Sequence, residues 1–162
     1  MTGFDDKLKA AIDRGVRKGK KKLDDEAQKQ ANEEEMRRLH TKYRLSVSEY
    51  IEGVVKKLAD YFPGFRFETV FGDSGWGAAC WRDELVVEAG RRSNRYSRFE
   101  MAIRSVNQYF VLDLQARGTI ANRELLTRSF YAPLDEVDEE HFNHLVDTWA
   151  LAFAELYSSQ SV

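Results

Sequence analysis

Four arginines fall within eight residues, Arg91, Arg92, Arg95 and Arg98, with Tyr96 among them. Guanidinium groups fork onto phosphates or carboxylates, and an aromatic ring between them can stack on a base. With Gly90 in front, the segment reads as an arginine-rich hairpin loop able to hold a partner. A second basic cluster comprises Arg14, Arg17, Lys18, Lys20, Lys21 and Lys22. Such density attracts nucleic acid or anionic lipid through counterion release and long-range attraction. The acidic blocks Asp24 to Glu26 and Glu33 to Glu35 damp that field beyond a Debye length of about 8 Å. The plainer reading of both clusters is a solvated surface whose cations pair with the chain's carboxylates. Trp76 and Trp81 flank Gly77, Ala78, Ala79 and Cys80. Tryptophans amid small residues suit a groove or an interface, and strand alternation puts the two on opposite faces. Trp76 is taken as the exposed one.

Residues for covalent chemistry are present but not assembled. Gly72-Asp73-Ser74-Gly75 is similar to the nucleophile signature of trypsin-like serine proteases. That chemistry needs a histidine base and a buried carboxylate. His40 lies in a charged segment, His141 and His144 have no family motif around them, and the chain is too short for two barrels. The tetrapeptide therefore reads as an ordinary turn. His141 and His144, with Asp138 and Asp147 a turn to either side, have spacing that could converge on a divalent ion. They flank an apolar helix face, so solvated polar residues are the preferred reading. Cys80 has Arg82 two residues away but no histidine nearby, which argues against a catalytic thiolate. The expectation is a protein with no catalytic residues, no metal and no cofactor.

Composition limits the setting of these residues. The chain has 162 residues, of which 43% are hydrophobic and 32% charged, enough for one compact domain. No long apolar run predicts an integral membrane segment, and the first residues, MTGFDDKLKAAIDRG, lack the apolar stretch of a signal peptide. A single cysteine excludes an internal disulfide framework. These features predict a soluble, cytoplasmic protein. The net charge of -2 divides unevenly: residues 1–42 hold twelve Lys and Arg against nine Asp and Glu, and residues 43–162 hold thirteen against eighteen. The near-neutral sum therefore excludes a polyanion partner less firmly than it first suggests.

The elements that must position these residues follow from periodicity. Phe4, Leu8, Ile12 and Val16 recur every four residues on one helical stripe, and a run rich in Lys, Glu, Gln and Ala follows. Residues 1–43 are predicted to be a charged helical or partly disordered arm, and residues 44–162 an α+β domain. Ser46-Val47-Ser48-Glu49 is a capping-box pattern, predicting a helix that starts there and stops at Pro63-Gly64. Alternation at Phe65, Phe67, Thr69 and Phe71 predicts a strand, and residues 76–89 form one bent strand or two short ones. Residues 98–106 and 109–117 pair through a turn at Asn107-Gln108, with Ile103 opposite Leu112 and Met101 opposite Leu114. A last strand over residues 123–131 suits an edge, and Asp138 caps a final helix.

The sum predicts a two-layer α+β domain with an antiparallel meander of five to six strands and both helices on one sheet face. That element order is broadly similar to small secretion-chaperone-like and other adaptor domains, which work as dimers holding partner segments. The similarity is one of element order alone. The expected function is a non-enzymatic protein-interaction or adaptor module, acting as a homodimer or in a complex. The alternative is a nucleic-acid-associated protein using the basic arm and the arginine loop. A small-molecule site between sheet and helices is the weakest reading.

Overall fold

The computed structural model describes residues 3–73 and 75–160. Its internal contacts separate two units, dividing between Arg38 and Leu39, and each is described by itself. The first unit is helical: helix α1 runs from Gly3 to Tyr61, and none of its described residues before Leu39 is buried. Helix there rests on the intrinsic propensity of Lys, Glu, Gln and Ala and on pairs such as Glu35 with Arg38 at 3.2 Å. The helix start expected at Ser46 is not a boundary. Ser46 and Ser48 are interior to α1, and the Ser48 hydroxyl donates to the Leu45 carbonyl at 3.2 Å instead of capping. A capping box is a local signal, and the helix-forming run upstream overrides it. The far end is as expected, with Pro63 and Gly64, at φ +88°, turning the chain away.

The second unit holds the rest of α1 and a five-stranded antiparallel meander. The strands are β1 (Arg66–Val70), β2 (Trp76–Glu88), β3 (Arg91–Ile103), β4 (Val111–Ile120) and β5 (Arg123–Pro133), lying side by side in chain order. A short 3-10 turn (Leu134–Glu136) leads to α2 (Glu139–Gln160), whose Asp138 carboxylate accepts from the His141 N–H at 3.4 Å. The chain is thus α+β, with β5 at a sheet edge. Residues 76–88 are one continuous strand. The β3–β4 register differs from expectation by two residues: Ile103 faces Leu114, Met101 faces Ala116 and Phe99 faces Gly118. The connection spans residues 104–110 instead of a two-residue turn. A slip of two keeps every side chain on its face, so hydrophobic alternation cannot detect it.

Both helices cover one face of the sheet. Even-numbered residues of β2 and odd-numbered residues of β3 point toward them, so Ala78, Cys80, Phe99, Met101 and Ile103 are buried beside Leu112, Leu114 and Ala116. From above come Val47, Ile51 and Val55 of α1 and Phe142, Val146, Trp149 and Phe153 of α2. The strand around Phe71 ends earlier than its alternation suggested, and Phe71 is exposed. No described helix is long and apolar enough to cross a membrane.

Candidate functional site

The arginine segment is a strand, not a loop. The turn is Ala89-Gly90, both at positive φ, and Arg91 pairs with Glu88 as the first rung of the β2–β3 ladder. Beyond Trp81 and Arg98 neither β1 nor β4 pairs with this hairpin, which leaves residues 82–97 as a two-stranded ribbon. Alternation then disperses the predicted patch. Arg92 and Arg98 share one face with Tyr96, while Arg91 and Arg95 occupy the other. Arg95 bonds Glu88 at 2.8 Å, and Arg98 bonds Glu68 at 2.9 Å with Glu100 at 3.8 Å. Burial opposes the Arg98 charge, but its bonds to Glu68 and Tyr96 and the Glu100 charge outweigh it and raise the pKa further. Two of the four guanidinium groups are therefore committed within the fold.

Trp76 and Trp81 do lie on opposite faces, but both are half-buried, so Trp76 is not the exposed one of the pair. Trp76 sits on the helix-covered face, half-buried, with the Arg44 guanidinium 4.1 Å from its ring centroid. Trp81 lies on the helix-free face with Arg98 at 5.8 Å. Parity decides this, because Trp76 shares a face with Cys80 of the core. Trp76 is also at the opposite end of β2 from Arg91 and Arg92, twelve rungs or about 40 Å along the strand. The predicted partner-binding residues are not brought together. The basic cluster Arg14, Arg17, Lys18, Lys20, Lys21 and Lys22 is exposed throughout on α1.

Of the residues weighed for a metal, Asp138, His141 and Asp147 have other engagements. Ser74 lies outside the described residues; around it, Gly75 N–H donates to the Gly72 carbonyl at 3.1 Å, closing a turn. The His141 ring meets Phe130 edge-on at 5.0 Å, and the Asp147 carboxylate accepts from Tyr50 at 2.7 Å. Among the described residues no group of three or more His, Cys, Asp or Glu is placed to hold a metal ion. Cys80 is wholly buried, and burial pushes its thiol up to about 12, so it stays protonated at neutral pH.

A groove between α1 and α2 was not anticipated. It encloses about 1140 Å³ and runs along the side of both helices away from the sheet. The helices run in the same direction, with Tyr50 bonded to Asp147 and Phe62 against Tyr157. The groove is graded along its length. Its first end is polar, formed by Ser46, Glu49, Asn143 and Asp147, and the Asn143 Oδ1 there is buried with no hydrogen-bond partner. Its other end is mainly apolar, formed by Val54, Leu58, Tyr61, Ala150, Leu151 and Ala154 together with Lys57 and Ser158, with Tyr61 83% and Leu151 68% exposed. Gly53 lies midway, and a Cβ added there meets nothing within 4 Å. The signal was in the sequence. Tyr50, Val54, Leu58 and Tyr61 form a second apolar stripe beside the core stripe Val47, Ile51, Val55 and Ala59, wider than one sheet face requires.

His40 is the other residue whose setting differs from its expected place in a solvated segment. It is 3% exposed, and its Nε2 lies 3.1 Å from the Arg104 carbonyl, to which the neutral ring donates. Burial lowers its pKa, the Arg104 bond partly restores it, and the Arg44 charge lowers it further. Below about pH 6.5 the unfolded chain takes up a proton that folded His40 resists, so stability present above that pH is lost as the pH falls. Urea titrations from pH 7.5 to 5.5 should show a decline with a slope of at most about 1.4 kcal/mol per pH unit. His40→Gln should flatten it; a profile as steep in that variant would place the titration elsewhere.

No family model, no curated protein and no solved structure matches the chain.

Proposed function

We propose that the protein is a non-enzymatic interaction module whose docking site is the groove between α1 and α2, shaped to take one amphipathic helix. The observation that carries this reading is an open groove, polar at one end and mainly apolar at the other, bounded by two parallel helices, with the exposed Tyr61 and Leu151 on its walls. At about 1140 Å³ it exceeds the usual range of small-molecule pockets, about 300–1,000 Å³, and it is elongated. Helix-in-groove recognition uses such a surface, with anchors at successive turns of the ligand helix.

Gly53→Phe tests the reading. The ring projects into open groove, and losing an exposed helical glycine favours the fold, so the melting temperature should hold or rise. Quantitative affinity capture with the full-length chain should lose its bound proteins when Gly53→Phe is introduced. If the same proteins are captured at undiminished levels, the groove is not the docking site.

A further inference from the structure

We infer that the groove is filled by the Phe4–Val16 stripe of a second copy of this chain, lying antiparallel to both helices, so that two copies exchange arms. The inference rests on the docking role proposed for the groove and names its occupant. Phe4, Leu8, Ile12 and Val16 form one helical stripe and are 70, 47, 56 and 52% exposed. Four large apolar side chains on one face of a solvated helix are unusual without a partner, since nothing in the first unit buries them. The stripe spans thirteen residues, or about 18 Å of helix, and the α1 wall of the groove from Tyr50 to Tyr61 spans about 17 Å. Length and apolar character therefore match.

Charge sets the direction. Immediately after the stripe comes the run from Arg14 to Lys22, with six cations and no acid. Helix α2 has four acidic residues and no Lys or Arg, and Glu139, Glu140 and Asp147 lie in its first half. The polar end of the groove also carries Glu49 of α1. Phe4 is thus placed at the Tyr61 end, and Lys20 to Lys22 at the end formed by Glu49 and Asn143. This direction opposes the arm dipole to those of α1 and α2, which run parallel to each other and gain from an antiparallel neighbour. Each copy supplies one arm and one groove, and a reciprocal exchange between two copies uses both.

Light scattering on the full-length chain tests the assembly. The expected mass is twice 18.8 kDa, falling to a monomer with Leu8→Glu/Ile12→Glu and separately with Gly53→Phe. A fluorescein-labelled peptide of residues 3–22 should bind the Leu8→Glu/Ile12→Glu chain, and adding Gly53→Phe should weaken that binding at least tenfold. A wild-type monomer, or peptide binding indifferent to Gly53→Phe, overturns the inference. If this peptide fails while an amphipathic Leu/Lys 18-mer binds in a manner sensitive to Gly53→Phe, the second copy is rejected and the docking groove stands. If neither binds, both fall. In a mixture of light and isotopically heavy chains, zero-length carbodiimide crosslinks should join Lys20, Lys21 or Lys22 of one copy to Glu49 or Glu140 of the other. Crosslinks from Lys7 or Lys9 to Glu49 would reverse the direction and overturn it.

Discussion

Replacing Phe153 by alanine is expected to cost about 3–5 kcal/mol, leaving a domain of this size close to its unfolding threshold. Phe153 is wholly buried, stacks on Phe99 with centroids 4.9 Å apart, and continues to Tyr157 at 6.1 Å. Beneath it lies Gly118 of β4, where an added Cβ would come within 2.9 Å of the Phe153 ring and 3.0 Å of the Leu126 Cβ. The ring thus occupies a socket made by a missing side chain. Once the ring is gone, Gly118 has nothing with which to fill the space, so the cavity collapses poorly and the cost falls toward the upper end of the range. Urea denaturation followed by tryptophan fluorescence would measure it. Gly118→Ala alone should be destabilising, by about 1–3 kcal/mol, and much less so in the Phe153→Ala background. A loss below about 1.5 kcal/mol for Phe153→Ala, or simple additivity, would show that ring and glycine are not packed as a pair.

Phe153 also illustrates what could be read from sequence. Its helix, and the strand carrying Phe99, Met101 and Ile103 between Arg98, Glu100 and Arg104, were legible because one face is buried and the other is not. The same logic explains the failures. In the ribbon beyond Arg82 and Ser97, Leu85 and Val87 are exposed and the alternation that marks a strand is absent. The arginines therefore looked like a loop, and their division between two faces became visible only with the ladder. At Arg104 to Phe110, Phe110 adopts φ +50°, a backbone state that its residue type does not announce.

The interhelical groove was half legible. The surplus apolar width of Tyr50, Val54, Leu58 and Tyr61 is plain in the sequence, and so is the stripe Phe4, Leu8, Ile12 and Val16. What sequence does not encode locally is that α2 stops short of covering the first stripe, leaving Gly53, Ala150 and Ala154 as a small-residue floor. Two unsatisfied stripes in one chain, one with Glu49 and Asp147 at its polar end and the other followed by lysines, are related only once the groove's polar and apolar ends are placed. The nucleic-acid reading gains nothing comparable. Arg95 and Arg98 are paired within the fold, which leaves that reading on the arm cluster and the exposed Arg91 and Arg92.

Gly77→Ala should be among the most damaging single-methyl changes in the chain, although alanine is common in strands. A Cβ at Gly77 would collide with the Met101 carbonyl oxygen and lie 2.7 Å from the Ala102 Cα and 2.9 Å from the Met101 carbonyl carbon. These are backbone atoms of the neighbouring strand, so no rotamer change relieves the contact. β2 cannot retreat either, because Gly77 pairs on its other side with Val70 of β1, and the adjacent Trp76 is held under Arg44. Relief requires parting β2 from β3 at the rungs that carry Met101, Ala102 and Ile103, two of them wholly buried. The expected cost is about 3 kcal/mol or more, at or beyond the upper end for overpacked cores. Gly53→Ala is the matched comparison: the same methyl, on an exposed helix with nothing within 4 Å, should stabilise by about 0.5–1 kcal/mol. Opposite shifts in urea midpoint for one substitution at two glycines would isolate strand approach as the cause. Equal midpoints would mean that β2 and β3 separate at Gly77 with little resistance, and that the glycine there serves another purpose.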